Sequence, residues 1–315
     1  MSPFQKKIIR YLIALFIIIS LNFLIPRIMP GDPMANLLGE NFILSKSTVE
    51  ELRSQLGLDQ ALPLQFFGYW KSVLHLDLGY SYHFNQRVQT ILWARLKWTL
   101  ALLMPSILLG AVAGTFLGAL SGWRRNNTLN KLTTAFFLSV YSTPPYFLGI
   151  VCLFLFSFKL ALFPLKGFYE TGGIGEILTH LFLPILVMSA FSASRNYMIM
   201  RGSVLQEKGK LYAVYARAKG LSGNQILFRH IFKNSSLPVI TLIALDFGFL
   251  LSGALFVEIV FSLNGMGTLI YDALLSRDYP VLQGSLLIIT VMVVAANFLV
   301  DIVYRILDPR VRESR

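Results

Sequence analysis

Residues 98–120 read WTLALLMPSILLGAVAGTFLGAL, a run of 23 residues without one charge. A helix rises about 1.5 Å per residue, so this run is long enough to cross a hydrocarbon core of about 30 Å. Trp93 and Trp98 stand at one end and Trp123 just beyond the other. Indole rings, apolar with one polar edge, prefer the two membrane interfaces.

Five more apolar blocks of similar length follow the same logic: 11–28, 132–158, 178–198, 237–261 and 282–306. The whole chain agrees with them. It is 55% hydrophobic and 14% charged, where an ordinary soluble domain carries about 25% charged residues, and its mean hydropathy is +0.62. Block 11–28 follows Lys6, Lys7 and Arg10. It is longer than the apolar core of a secretory signal and precedes no small-x-small cleavage site, so it is expected to be a retained first span. The expected fold class is all-α: a polytopic membrane protein with six transmembrane helices and a small external segment between the first two.

Placing both termini in the cytoplasm puts 18 of the 28 Lys and Arg inside, as the positive-inside rule requires. The net charge of +12 is then explained by topology and anionic lipid, and no nucleic-acid partner is expected. The expected organisation is 1–28, cytoplasmic N-terminus and first span; 29–97, external segment; 98–306, core of spans two to six with a cytoplasmic loop at 199–236; and 307–315, cytoplasmic tail. In the external segment, Ser47 and Glu50 have capping-box spacing, Val49, Leu52 and Leu56 share a face, and Gly57 supplies a stop, which predicts a short amphipathic helix.

Gly110, Gly114, Gly118 and Gly122 make one stripe along the second span. Bare backbone lets another helix approach closely, either within the chain or from a second membrane chain. Two carboxylates lie in the fifth block. Measured from Pro238, Asp246 is about 12 Å in and Glu258 about 30 Å in. Glu258 is placed at the outer interface, for capping, gating or simple solvation. Asp246 is too deep for lipid: it lines the path and favours a cationic group, or it pairs with a basic residue or other polar groups between helices. Asn297, Asp301 and Arg305 share one face near the inner end of the last span and read as bundle structure, with an Asp301–Arg305 ion pair. The single cysteine, Cys152, excludes an internal disulfide. The histidines His75, His83, His180 and His230 have no metal-binding spacing.

Within the inner loop, the stretch from Tyr212 to Leu221, YAVYARAKGL, is basic and helical in character, with Ala213, Ala216 and Gly220 at i, i+3 and i+7. It reads as a docking face for a partner or as a basic loop held against headgroups. Arg217-Ala-Lys-Gly-Leu221, followed by His230, Asn234 and Leu237-Pro238, resembles the cytoplasmic loop of the dipeptide, oligopeptide and nickel permease family. The resemblance runs along the chain through Pro30-Gly-Asp-Pro33, Leu56-Gly-Leu-Asp59, Asp77-Leu-Gly-Tyr-Ser81, Ser142-Thr-Pro-Pro-Tyr-Phe147, Arg277-Asp-Tyr-Pro280, Asn297-Phe-Leu-Val-Asp301, Tyr304 and Asp308-Pro-Arg310. The chain departs from the family pattern where Val214 and Tyr215 replace Glu-Ala, and where Leu263-Asn264 replaces Trp-Pro before Gly265-Met-Gly267.

The resemblance implies the permease fold of a type I ATP-driven importer. The expected partners are a second permease, two ATPase subunits and an external solute-binding protein, all working in membrane lipid. Tyr212, Ala213, Ala216, Arg217, Ala218, Lys219, Gly220 and Leu221 would couple to the ATPase, and Asp246 and Glu258 are the candidates for the translocation path. The sequence has no phosphate-binding loop and no His-Glu-x-x-His motif. No catalysis and no bound cofactor are expected of this chain, with ATP and Mg on the partner subunits. Peptides are the expected cargo, with nickel or a metal chelate as alternative. A secondary transporter or ion channel using Asp246 is the alternative from another class.

Overall fold

The computed structural model describes residues 3–28, 59–124, 128–165 and 173–307. Pro30-Gly-Asp-Pro33, the helix expected around Ser47 and Glu50, most of Leu56-Gly-Leu-Asp59, Asp308-Pro-Arg310 and the side chains of Asp301 and Arg305 lie outside the described residues.

The described chain is all-α apart from one small hairpin. Helix α1 covers Pro3–Ile28 and α2 covers Leu62–Leu74. Strands β1 (Tyr80–Ser81) and β2 (Gln86–Arg87) pair antiparallel, Tyr80 opposite Arg87. Then come α3 (Val88–Trp123), α4 (Thr128–Tyr141) and α5 (Pro145–Cys152), which runs on as a π-helical segment, Leu153–Lys159. Helices α6 (Ile174–Glu207) and α7 (Leu211–Ala218) follow. A helical turn, Gly223–Gln225, and a π-helical segment, Ile226–Ile231, lead into α8 (Phe232–Val260). Helices α9 (Met266–Leu275) and α10 (Tyr279–Leu307) complete it.

The apolar blocks lie in helix, the third apart from its break at residues 142–144. Among the described residues, α3, α6 and the Tyr279–Leu299 part of α10 are long and apolar enough to cross a membrane alone. Two bent pairs bring the number to five if each is one span, and α1 is apolar over Ile8–Leu24. Helix α3 starts at Val88, well before the apolar run that marks it.

The third block departs from the expectation of one continuous span: α4 and α5 meet at 108°. Ser142-Thr-Pro-Pro145 is the cause. Pro144 is extended, with ψ 139°, and a proline both lacks an N–H and steers the preceding residue out of helix. Side-chain hydroxyls bond back to the last turn of α4, where Leu138 O also keeps its backbone bond from Ser142 N at 3.0 Å. Ser142 Oγ donates to Leu138 O at 2.9 Å and Thr143 Oγ1 to Ser139 O at 2.8 Å.

The contacts divide the chain into two units, Met1–Trp98 with Asn264–Val294, and Thr99–Leu263 with Ala295–Arg315. In the first, two stretches of family-like sequence close on each other. Buried Ser81 donates to the Asp278 carboxylate, and Asp278 Oδ1 accepts from Val281 N at 3.2 Å. Phe84 N donates to Ser81 Oγ at 3.0 Å, so one hydroxyl ties the hairpin to the start of α10.

In the second unit α6 is the central element, packed against α4 and α8. The Tyr197 ring stacks on Phe137 at 4.4 Å. Its hydroxyl donates to Ser121 Oγ at 2.6 Å and bonds Thr134 Oγ1 at 2.7 Å. The glycine stripe of α3 lies directly on α6. A Cβ added at Gly110 would stand 2.5 Å from Ser192 Cβ, and one at Gly114 only 2.3 Å from Ala193 O. At Gly118 and Gly122 the nearest atoms are Tyr197 O and Arg201 O. The stripe is therefore used for packing inside the subunit.

Candidate functional site

Helix α7 is held by features the local sequence supplies. Gly220, with φ +80°, sits past its end, and Leu221 N turns back to Ala216 O, which stops the helix in the usual left-handed manner. Ser222 and Gln225 then form a reciprocal capping box that starts the next turn. Gly220 therefore terminates α7 and does not extend its face.

The small face points inward. Ala213 and Ala216 are buried in a cluster with Ala119, Met200, Val204, Ile226, Leu227, Ile231 and Val239, which joins α7 to α3, α6 and α8. The spacing of the alanines is thus explained by close packing within the subunit. The opposite face is exposed and apolar: Leu211 74%, Val214 51% and Tyr215 66%, with Ala218 beside them. The two residues that depart from the family pattern, Val214 and Tyr215, are on this outer face.

Side chains at both ends pin α7. Tyr212 donates its phenol to Glu207 Oε2 at 2.5 Å, and Lys210 Nζ pairs with Glu207 Oε1 at 2.5 Å. Lys208 Nζ donates to Trp123 O at 2.8 Å, and Arg217 lies 5.9 Å over the Trp123 ring. Burial first, and then the hydrogen bond and charge of Glu207, push the Tyr212 phenol above its usual value, opposed by a hydrogen bond from Asn234. It stays protonated at neutral pH, as a donor to Glu207 must. Lys219 is exposed and Leu221 partly buried on the same cluster.

Asp246 is fully buried on α8. Its Oδ1 accepts from Arg195 Nη1 at 2.7 Å and its Oδ2 from Ser192 Oγ at 2.6 Å, with Asn196 Nδ2 at 3.3 Å. Ser192, Arg195 and Asn196 fall at i, i+3 and i+4, one face of α6. Gly110 and Gly114 of α3 press on Ser192 and Asn196, so three helices meet around one carboxylate. Of the arrangements open for Asp246, the structure has the pair with a basic residue. Arg195, one of the 18 Lys and Arg that the sequence places on the cytoplasmic side, has only 12% of its side chain exposed.

Glu258 is not solvated. It is 1% exposed, and its Oε1 accepts from Thr99 Oγ1 at 2.6 Å. Of capping, gating and simple solvation, burial removes the last, because α3 covers this end of α8. The partners Arg195, Ser192, Asn196 and Thr99 were all missed by sequence reading. One signal was available for the first three: a polar i, i+3, i+4 set, Ser192, Arg195 and Asn196, in the fourth apolar block.

Comparison with known proteins gives one answer along the chain. The family described as binding-protein-dependent transport system inner membrane component matches residues 114–313, and its N-terminal companion matches residues 3–103. A peptide permease protein of Brucella suis biovar 1 (strain 1330) is 34% identical over 310 residues, 96% of this chain and 97% of its own. A peptide ABC transporter permease protein of Sinorhizobium fredii (strain NBRC 101917 / NGR234) is 32% identical over 92% of each chain. The dipeptide transport system permease protein DppB of Escherichia coli (strain K12) is 30% identical over the full length of both. Apolar helices, a short helix with an open outer face and matches over nearly every residue agree: the chain belongs to the family of binding-protein-dependent transport system inner membrane components.

Proposed function

We propose that this chain is the permease subunit of an ATP-driven importer of peptides and forms the translocation path with a second permease. Two ATPase subunits would bind ATP and Mg on the cytoplasmic side, and an external solute-binding protein would deliver the cargo. Both termini are cytoplasmic in this reading. The observation that carries it is the orientation of α7: alanines packed inward on the core that joins α6 and α8, and Leu211, Val214 and Tyr215 open to a partner.

The network at Asp246 has a part in this. It ties α6, which precedes α7, to α8, which follows it. A push on α7 from closing ATPases then moves both helices together rather than bending one. Peptide comes from the names of the relatives, and no observation here favours nickel.

Reconstitution tests the proposal. The permease, copurified with its ATPase partners, is placed in proteoliposomes with labelled dipeptides. ATP-dependent uptake that requires the binding protein is the expected result. Uptake by this chain alone, driven by an ion gradient, would instead place it among secondary transporters.

A further inference from the structure

Helix α2 belongs to the segment between the first two spans, which sequence reading places outside the membrane, yet it packs along α1 far from that helix's end. Arg27, at the end of α1, bonds Gln65 Oε1 with Nη2 at 2.8 Å. Phe23 meets Phe66 and Tyr69 at 5.3 and 5.6 Å, and Phe16 stacks on Trp70 at 5.0 Å. From Arg27 to Phe16 is about 16 Å along a helix axis, roughly half of a hydrocarbon core of about 30 Å. Helix α2 therefore runs antiparallel to α1 and follows it to mid-span.

The outer side of α2 is apolar as well. Leu64 is 60% exposed, Phe67 69% and Leu74 75%. Lys71 and Ser72 are the exposed polar residues of α2, and the open apolar side chains beside them call for cover by protein or lipid. Helix α1 exposes Leu12, Phe16, Ile17 and Leu21 by half or more, so the open apolar surfaces of the two helices adjoin. The one charge on α2, Lys71, has a stem long enough to carry its ammonium to the headgroups. The end of α2 is also closed as a helix end in lipid must be. Asp77 N donates to Ser72 O at 2.9 Å, His75 Nδ1 lies 2.8 Å from Lys71 O, and Gln89 Nε2 donates to Leu76 O at 2.7 Å.

We infer that α2 is embedded in one leaflet beside α1, with Leu64, Phe67 and Leu74 against lipid acyl chains. The orientation proposed above makes it the outer leaflet. Residues 62–74 then dip into the bilayer, and the chain returns from there to the hairpin.

Single-cysteine labelling of the whole transporter complex in lipid nanodiscs tests this. Cys152→Ser provides the background, and Phe67→Cys and Leu74→Cys are compared with Gln60→Cys and His83→Cys, two exposed positions off the apolar face. A sulfonated, membrane-impermeant maleimide should label Gln60→Cys and His83→Cys and fail on Phe67→Cys and Leu74→Cys until the protein is denatured. A fluorophore attached through a lipid-soluble maleimide at residue 67 or 74 should be quenched by doxyl-labelled phospholipid. Labelling at the rate of Gln60→Cys would overturn the inference by exposing α2 to water or to the binding protein. Protection from maleimide without lipid quenching would overturn it in favour of cover by the second permease. The two α2 positions are read independently, so a fold defect in one variant leaves the other decisive.

Discussion

Asp246 and Arg195 show how a buried charge depends on its neighbours. Removing one partner leaves the other ionised in a dry site, at a cost of about 3–5 kcal/mol, whereas an apolar pair of similar volume is often tolerated. Asp246→Asn alone should lower the yield of assembled transporter and its thermal midpoint. Asp246→Leu with Arg195→Met should recover both, as read by size-exclusion recovery after heating. If Asp246→Asn instead left assembly intact and changed which peptides are carried, the carboxylate would act on the path. That Asp246 needs a partner was legible from its depth in an apolar block. Which partner was not, because the choice depends on the rotation of α6 against α8, and Arg195 sits where a cytoplasmic charge is expected. Simple solvation of Glu258 fails for a related reason: counting rise along one straight axis says nothing of the Thr99 side chain that reaches it from α3.

Elements were legible as apolar blocks and as spacing, and their directions were not. Hydropathy adds across Ser142-Thr-Pro-Pro145 as though the chain ran straight, while the prolines turn it by 108°. The glycine stripe was legible as a close approach, and its partner was fixed only by the fold. Because Gly114 would set a Cβ 2.3 Å from a backbone oxygen of α6, Gly114→Ala forces a helix to move. The expected loss is about 1–3 kcal/mol, typical of overpacking, checked by thermal unfolding in detergent against Gly68→Ala, where nothing lies within 4 Å. For α7 the alanine spacing was right, but it marked the inward face. Its tether is pH-dependent with a definite sign. The Tyr212 phenol is raised in the folded protein, so the bond to Glu207 is complete below the ordinary tyrosine value of about 10. It is lost as pH rises through the higher folded value. The protection factors of the α7 amides, exchange rates corrected for the intrinsic pH dependence, should therefore hold steady through neutral pH and fall only in strong alkali. Tyr212→Phe should lower them at pH 7.

At the scale of the molecule, the proposed importer places its most consequential difference on an exposed surface. Tyr215 contributes nothing to the inner cluster, so Tyr215→Asp should leave the permease folded while weakening its hold on the ATPases. A tagged permease should then recover less ATPase in pull-down, with unchanged thermal stability. Membership of the family was legible because its motifs recur in order along the chain, but what two of them do together was not. Asp77-Leu-Gly-Tyr-Ser81 and Arg277-Asp-Tyr-Pro280 look like separate signatures until Ser81 is found on Asp278. That clasp also imposes a timetable on biogenesis. The two residues are 197 positions apart, and at roughly 5–20 residues per second a ribosome takes about 10–40 s to pass from one to the other. Through that interval the hairpin has left the ribosome with its hydroxyl unanswered, so the near-complete chain, not the nascent N-terminal third, is the first species able to close this side of the protein.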